Sequence, residues 1–166
     1  MYQPYPSAGQ APEPVRPGPP PSVVMAVRLM YAGAAVSALS LIVGLVTVSS
    51  LRSALHKSDP SLTSAQLHNL QTVVIVGSVV IGLISIGLWV WMALMNRAGK
   101  AWARIVATVL FGLDTLFLLL GLARAGAAAG TLVSILTWLM GLGAVIFLWR
   151  RDASEYFTAQ SAPRPR

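Results

Sequence analysis

The sequence contains no cysteine, which removes disulfides, thiolate nucleophiles and cysteine-ligated metals from consideration. Acids are nearly as scarce. Glu13, Asp59, Asp114, Asp152 and Glu155 are the whole set, too few and too scattered for the paired carboxylates of general acid–base catalysis. The only histidines, His56 and His68, have no acidic cluster beside them. They read as solvated loop and helix-end residues rather than as metal ligands or a pH sensor. HExxH, GxSxG and a phosphate-cradling glycine loop are all missing from the sequence. These absences argue against an enzyme, and no cofactor is expected.

Charge of either sign is also short. Only 10% of the residues are charged, where a soluble domain carries about 25%. Hydrophobic residues make up 55% and the mean hydropathy is +0.69. Four separate apolar runs of membrane-spanning length explain this better than one large core. The net charge is +7, but the basic residues flank the apolar runs and form no polar stripe. That pattern fits anionic headgroups and the positive-inside rule, and it gives no reason to expect nucleic acid. Arginine outnumbers lysine ten to two, and alanine, glycine and proline are abundant. This bias suits a high-GC bacterial genome.

Residues 1–22 hold eight prolines and no apolar periodicity, so they are expected to form a disordered, proline-rich cytoplasmic tail. They lack the basic start and short apolar stretch of a signal peptide. Pro14 to Pro17 and Pro17 to Pro20 match a PxxP spacing, which is nearly unavoidable in such a tract. The four spans are expected at 23–50, 72–95, 102–122 and 131–149. Between the first two, Asp59-Pro60 stops a helix, and Thr63 to Gln66 has capping-box form, so a helix should restart near Ser64. Residues 151–166 are polar and are expected to be a mobile cytoplasmic tail. Small residues line one face of three spans: Gly33, Ser37, Ser40, Gly44 and Thr47; Ser78, Gly82 and Ser85; Ser134, Thr137, Gly141 and Ala144. Such stripes let membrane helices approach closely. Trp89 and Trp91 suit the headgroup level.

With the N-terminus inside, nine basic residues fall on the cytoplasmic side (Arg16, Arg28, Arg97, Lys100, Arg104, Arg150, Arg151, Arg164, Arg166) and three outside (Arg52, Lys57, Arg124). Both termini are therefore expected in the cytoplasm. Arg97, Lys100 and Arg104 recur at spacings of three and four. If the turn there is helical they share a face that anchors topology on anionic lipid.

Asp114 is the one charge in the middle of a span. An acid there costs roughly 2.5–3.5 kcal/mol on insertion scales, so it is expected to face the bundle interior. Depth alignment at ~1.5 Å per residue puts Ser40, Ser85 and Thr137 near its level. The expected arrangement is a polar cluster of these four residues. In it, Asp114 keeps its proton and donates a packing hydrogen bond to a hydroxyl. Proton or cation handling, and pairing with a basic residue of a partner, are the alternatives. No span contains proline and no second charge sits at midplane, which weighs against transport by a monomer.

The segments RLMYAGAAVSALSLIVGL, GKAWARIVATVLFGLDTLFLLL and IFLWRRDASEYF together resemble a family of small four-helix membrane proteins of high-GC Gram-positive bacteria with a proline-rich tail. The likeness covers about residues 22–157. Its most recognisable piece is the entry formed by Gly99, Lys100, Trp102, Ala103 and Arg104. The resemblance implies an architecture and no activity. The expectation is thus an all-α membrane protein, with four transmembrane helices in an up-down-up-down bundle in a bacterial cell membrane. It is expected to be an accessory or scaffolding subunit whose partners are lipids and either another membrane protein or its own copies.

Overall fold

The computed structural model describes residues 18–47, 53, 57, 61, 63–124 and 129–161, most of them in five helices. Residues 1–17 and 162–166 of the expected tails, the PxxP match at Pro14 to Pro17, the first residue of the one at Pro17 to Pro20, and residues 51–52, 54–56 (His56 among them), 58–60 and 62 of the expected loop lie outside the described residues.

Helix α1 (Pro21–Val46) starts where Pro20 turns the backbone to ψ 163°, with Pro21 at the first position. Proline suits that place because its missing N–H would have no helical partner. Helix α2 (Ser64–Arg97) opens on the expected capping box. The Gln66 N–H donates to Thr63 Oγ1 at 3.3 Å, and the Thr63 N–H donates to Gln66 Oε1 at 2.9 Å. At ~1.5 Å per residue α2 is about 50 Å long, more than the ~30 Å hydrocarbon core needs. Its first turns therefore extend beyond the apolar run.

A three-residue turn follows. The Gly99 N–H donates to the Asn96 carbonyl at 3.0 Å and the Lys100 N–H to the Met95 carbonyl at 3.2 Å. This is the Schellman closure, which needs a left-handed residue after the helix. Gly99 supplies it with φ 70°. Helices α3 (Ala101–Arg124), α4 (Ala129–Leu148) and α5 (Arg151–Ser161) complete the chain.

The segments Pro21–Val46, Ser64–Arg97, Ala101–Ala123 and Thr131–Leu148 are long and apolar enough to cross a membrane. Large side chains stand on their outer faces, among them Val73 and Ile81 (both 70% exposed), Phe117 (69%) and Leu132 (73%). Hydrocarbon solvates such a surface and water does not. The protein is an all-α, multi-pass membrane protein.

Helix α1 packs along both α2 and α4, and α4 packs along α3. Helices α2 and α3 touch over only a short stretch although three residues join them. Packing is concentrated at one end. There Val23, Ala26 and Met30 meet Met92, Ala93, Ala107, Ala144 and Leu148, with Ala153, Tyr156 and Phe157 of α5 across them. Beyond Ala34 in α1, Ala107 in α3, and between Leu67 and Met92 in α2, no described residue is buried. Two glycines make the tight end possible. A Cβ on Gly33 would lie 3.0 Å from the Trp89 ring, and one on Gly143 would lie 2.9 Å from Leu29.

Two expectations need correction. Residues 151–161 are no mobile tail. They form α5, whose Ala153, Tyr156 and Phe157 fall at helical spacing and are buried. Trp89 packs within the bundle, its ring against Gly33 and within 3.6 Å of a Cβ on Gly141. Of the α1 stripe, Gly33 is packed but Gly44 has open space beside it.

Candidate functional site

The weak contact between α2 and α3 leaves a cleft of about 370 Å³. One wall is α2 from Ile81 to Met92, and the other is α3 from Ala107 to Phe117. Met30, Gly141, Ala144 and Val145 close it from behind. The two walls run ~15 Å along the helices, at ~1.5 Å per residue. Apart from Ser85, Asp114 and the Trp89 indole, the lining is aliphatic, aromatic or thioether.

Helix α3 is held in place by α4. Trp138 Nε1 donates to Thr115 Oγ1 at 2.8 Å, and Trp149 Nε1 donates to Thr108 Oγ1 at 2.9 Å. Each threonine hydroxyl in turn donates to the carbonyl four residues back, Phe111 and Arg104 respectively, at 2.8 Å. The Phe111 and Trp138 rings lie 5.5 Å apart between the two bonds. Thr115 and Asp114 are consecutive, so fixing the threonine toward α4 turns the acid about a quarter-turn away, onto the cleft wall.

The expected four-residue cluster therefore does not form. Asp114 and Ser85 share the cleft. Ser40 and Thr137 do not line it, and each gives its hydroxyl to its own helix, at Val36 (2.8 Å) and Val133 (3.0 Å). Asp114 is exposed to the cleft rather than packed inside the bundle. Among the described residues it makes no hydrogen bond and no ion pair. The depth alignment assumed equal packing along all four helices, and the α2–α3 seam breaks that assumption. No three of the described His, Asp and Glu residues are gathered to hold a metal.

No family model, no curated protein and no solved structure matches the chain. What it does must be argued from its sites.

The basic turn is a second place where side chains converge. Arg97 and Lys100 are exposed, but Arg104 is not with them. Its Nη1 donates to Ser154 Oγ at 3.1 Å, and its guanidinium lies 4.7 Å from the Trp149 ring and 5.5 Å from the Phe157 ring. A guanidinium between two aromatic faces is a cation–π contact that fastens α5 to α3 and α4. The spacing of three and four failed because left-handed Gly99 interrupts the helix between Arg97 and Arg104. Tyr156 Oη donates to the Arg97 carbonyl at 3.0 Å, so α5 also covers the turn. Next to it Asn96 is fully buried and its Nδ2 donates to the Met92 carbonyl at 2.9 Å. At the start of α5 the nearby Ser22 hydroxyl, which makes no full hydrogen bond, together with the Ala153 and Asp152 N–H groups and Arg150, holds the Asp152 carboxyl below its ordinary pKa of 3.8 despite some loss of hydration.

Sequence reasoning missed Trp89, Phe111 and Met92 as cleft residues and Ser154 and Phe157 as partners of Arg104. The spacing of Ala153, Tyr156 and Phe157 was the available signal for the second group. Apolar residues inside an apolar run gave none for the first.

Proposed function

We propose that this is a non-enzymatic accessory or scaffolding subunit of a bacterial cell membrane, acting through helix contacts within the bilayer. The observation that carries this reading is the unequal packing. One end is cemented by α5, while the other half of each helix leaves its faces uncovered. At Gly44 of α1 and Gly77 of α2 nothing lies within 4 Å of a Cβ position. Small residues on an uncovered membrane helix are what a neighbouring helix packs against.

On this reading both termini are cytoplasmic. Supporting this, Arg28, Arg97, Lys100, Arg150 and Arg151 are exposed, and they belong to the helix ends that meet in the packed cluster. A cytoplasmic leaflet rich in anionic lipid attracts such a set. Convergence of the start of α1, the end of α2, the start of α3 and the end of α4 supports up-down-up-down order. Membership of the Gram-positive four-helix family belongs to the same proposal and rests on the sequence segments alone.

In-cell photo-cross-linking tests the role. A cross-linker at Gly44 or Gly77 should capture one defined membrane protein, and one at buried Ala26 or Ala93 should capture only this chain. Capture of nothing beyond this chain from every position would refute the accessory role. Asp114 on the cleft wall favours a second reading, a small oligomeric transporter or channel. Ion flux in liposomes that Asp114→Asn leaves unchanged would sink that one.

A further inference from the structure

The α2–α3 cleft combines three properties: drug-sized volume, an almost wholly apolar lining, and one carboxyl without a partner among the described residues. Ligand cavities occupy roughly 300–1,000 Å³ and are mostly apolar with a few polar groups that orient the ligand. At about 370 Å³ this one lies at the small end. Spread over ~15 Å of helix, the volume leaves a mean cross-section of about 25 Å². An α-helix is ~10–12 Å across and would not enter. A plain acyl chain would fill the slot but leave the carboxyl as it is. An acid in hydrocarbon is disfavoured until it meets an opposite charge or a donor.

We propose that the cleft binds one amphiphilic organic cation, an apolar body carrying a single positive centre. The positive centre sits at Asp114 and the body fills the slot toward Met30 and Met92. Complementarity of charge picks the occupant, since the cation supplies the counter-charge that Asp114 lacks. The walls suit the rest of it. Trp89 and Phe111 present aromatic surface to a cation or its substituents, and the two thioethers adapt to irregular shapes. Entry is sideways from the bilayer, where such molecules concentrate. The site holds whether or not the protein serves as an accessory subunit.

Equilibrium dialysis of the full chain in zwitterionic nanodiscs, with decyltrimethylammonium below its micellar concentration as the probe, tests this. Decyl sulfate, of similar shape and opposite charge, is the control. Saturable one-to-one binding of the ammonium and none of the sulfate is expected. Asp114→Asn should weaken ammonium binding at least tenfold. Ile84→Trp, which adds bulk at an exposed wall position while keeping the acid, should do the same. Unchanged melting by circular dichroism shows that each variant is folded. The proposal is overturned by absence of saturable ammonium binding, by equal binding of the sulfate, or by a folded variant of either kind that binds within twofold of the parent.

Discussion

Phe157→Ala is the sharpest probe of how the packed end is built. Phe157 is 1% exposed. Its ring meets Tyr156 at 5.7 Å and the Arg104 guanidinium at 5.5 Å. Truncating a buried phenylalanine costs about 3–5 kcal/mol. That loss falls on α5, an eleven-residue helix. Isolated helices shorter than roughly 12–15 residues are marginal in water, so α5 undocked is α5 unfolded. At about 1.4 kcal/mol per factor of ten, even the smaller loss shifts the docking equilibrium roughly 10²-fold. Hydrogen exchange of the protein in micelles reads this directly. Amides of α5 should exchange roughly 10²-fold faster, or at unprotected rates if α5 is held by less than the loss. Amides in the centres of α1 and α4 should keep their protection. Trypsin should then cut after Arg150 and Arg151, both exposed in the folded protein. Unchanged α5 exchange would refute the burial argument. Equal acceleration in every helix would refute the separation of α5 from the bundle.

Gly99→Ala forces a side chain into left-handed backbone at φ 70°, with its Cβ 2.7 Å from Gln160 Cγ and 3.1 Å from Tyr156. Thermal unfolding in micelles should register a loss of about 1–2 kcal/mol, and Gly99→Asn a smaller one. Thr108→Val and Trp149→Phe each remove the same hydrogen bond, worth about 1 kcal/mol. A double-mutant cycle should therefore find the pair's loss about 1 kcal/mol smaller than the sum of the two single losses, and additive losses would deny the bond. Asp152 sets a pH dependence. Its folded pKa lies below 3.8, so its contribution to α5 docking is complete above that value and fades as pH falls through the lower folded pKa. Hydrogen exchange of α5, corrected for intrinsic rates, should lose protection in that acid window, and Asp152→Asn should flatten the response.

The spans were legible because each is a long apolar run bounded by proline, glycine or charge. The start of α2 was legible because Thr63 and Gln66 carry the capping chemistry in their side chains. Helix α5 was hidden by its surroundings. Arg150, Arg151 and the polar end dominate a short segment whose three apolar positions only matter once a surface exists to receive them. Arg104 misled for a related reason, because a spacing rule holds only while the backbone keeps turning and Gly99 reverses it. The placement of Asp114 was half legible. Its level in the span followed from counting, but its direction depends on the bond from Trp138 to Thr115, a tertiary contact. Nothing in residue order announces that neighbouring helices α2 and α3 part company beyond their turn.

That parting gives the three-residue turn a mechanical meaning. Because α3 is also bonded to α4 through Thr108 and Thr115, a change in the α2–α3 separation would carry α3 and α4 together as one arm, pivoting at the turn. Asp114 stands thirteen residues from the start of α3, an arm of ~20 Å at ~1.5 Å per residue. A pivot of about 10° would move it by roughly 3.5 Å, more than the length of a hydrogen bond. The contacts of α5 with Arg97, Gly99 and Arg104 sit at the pivot itself. The docking of that short helix therefore bears on the pivot, at the opposite end of the arm from Asp114.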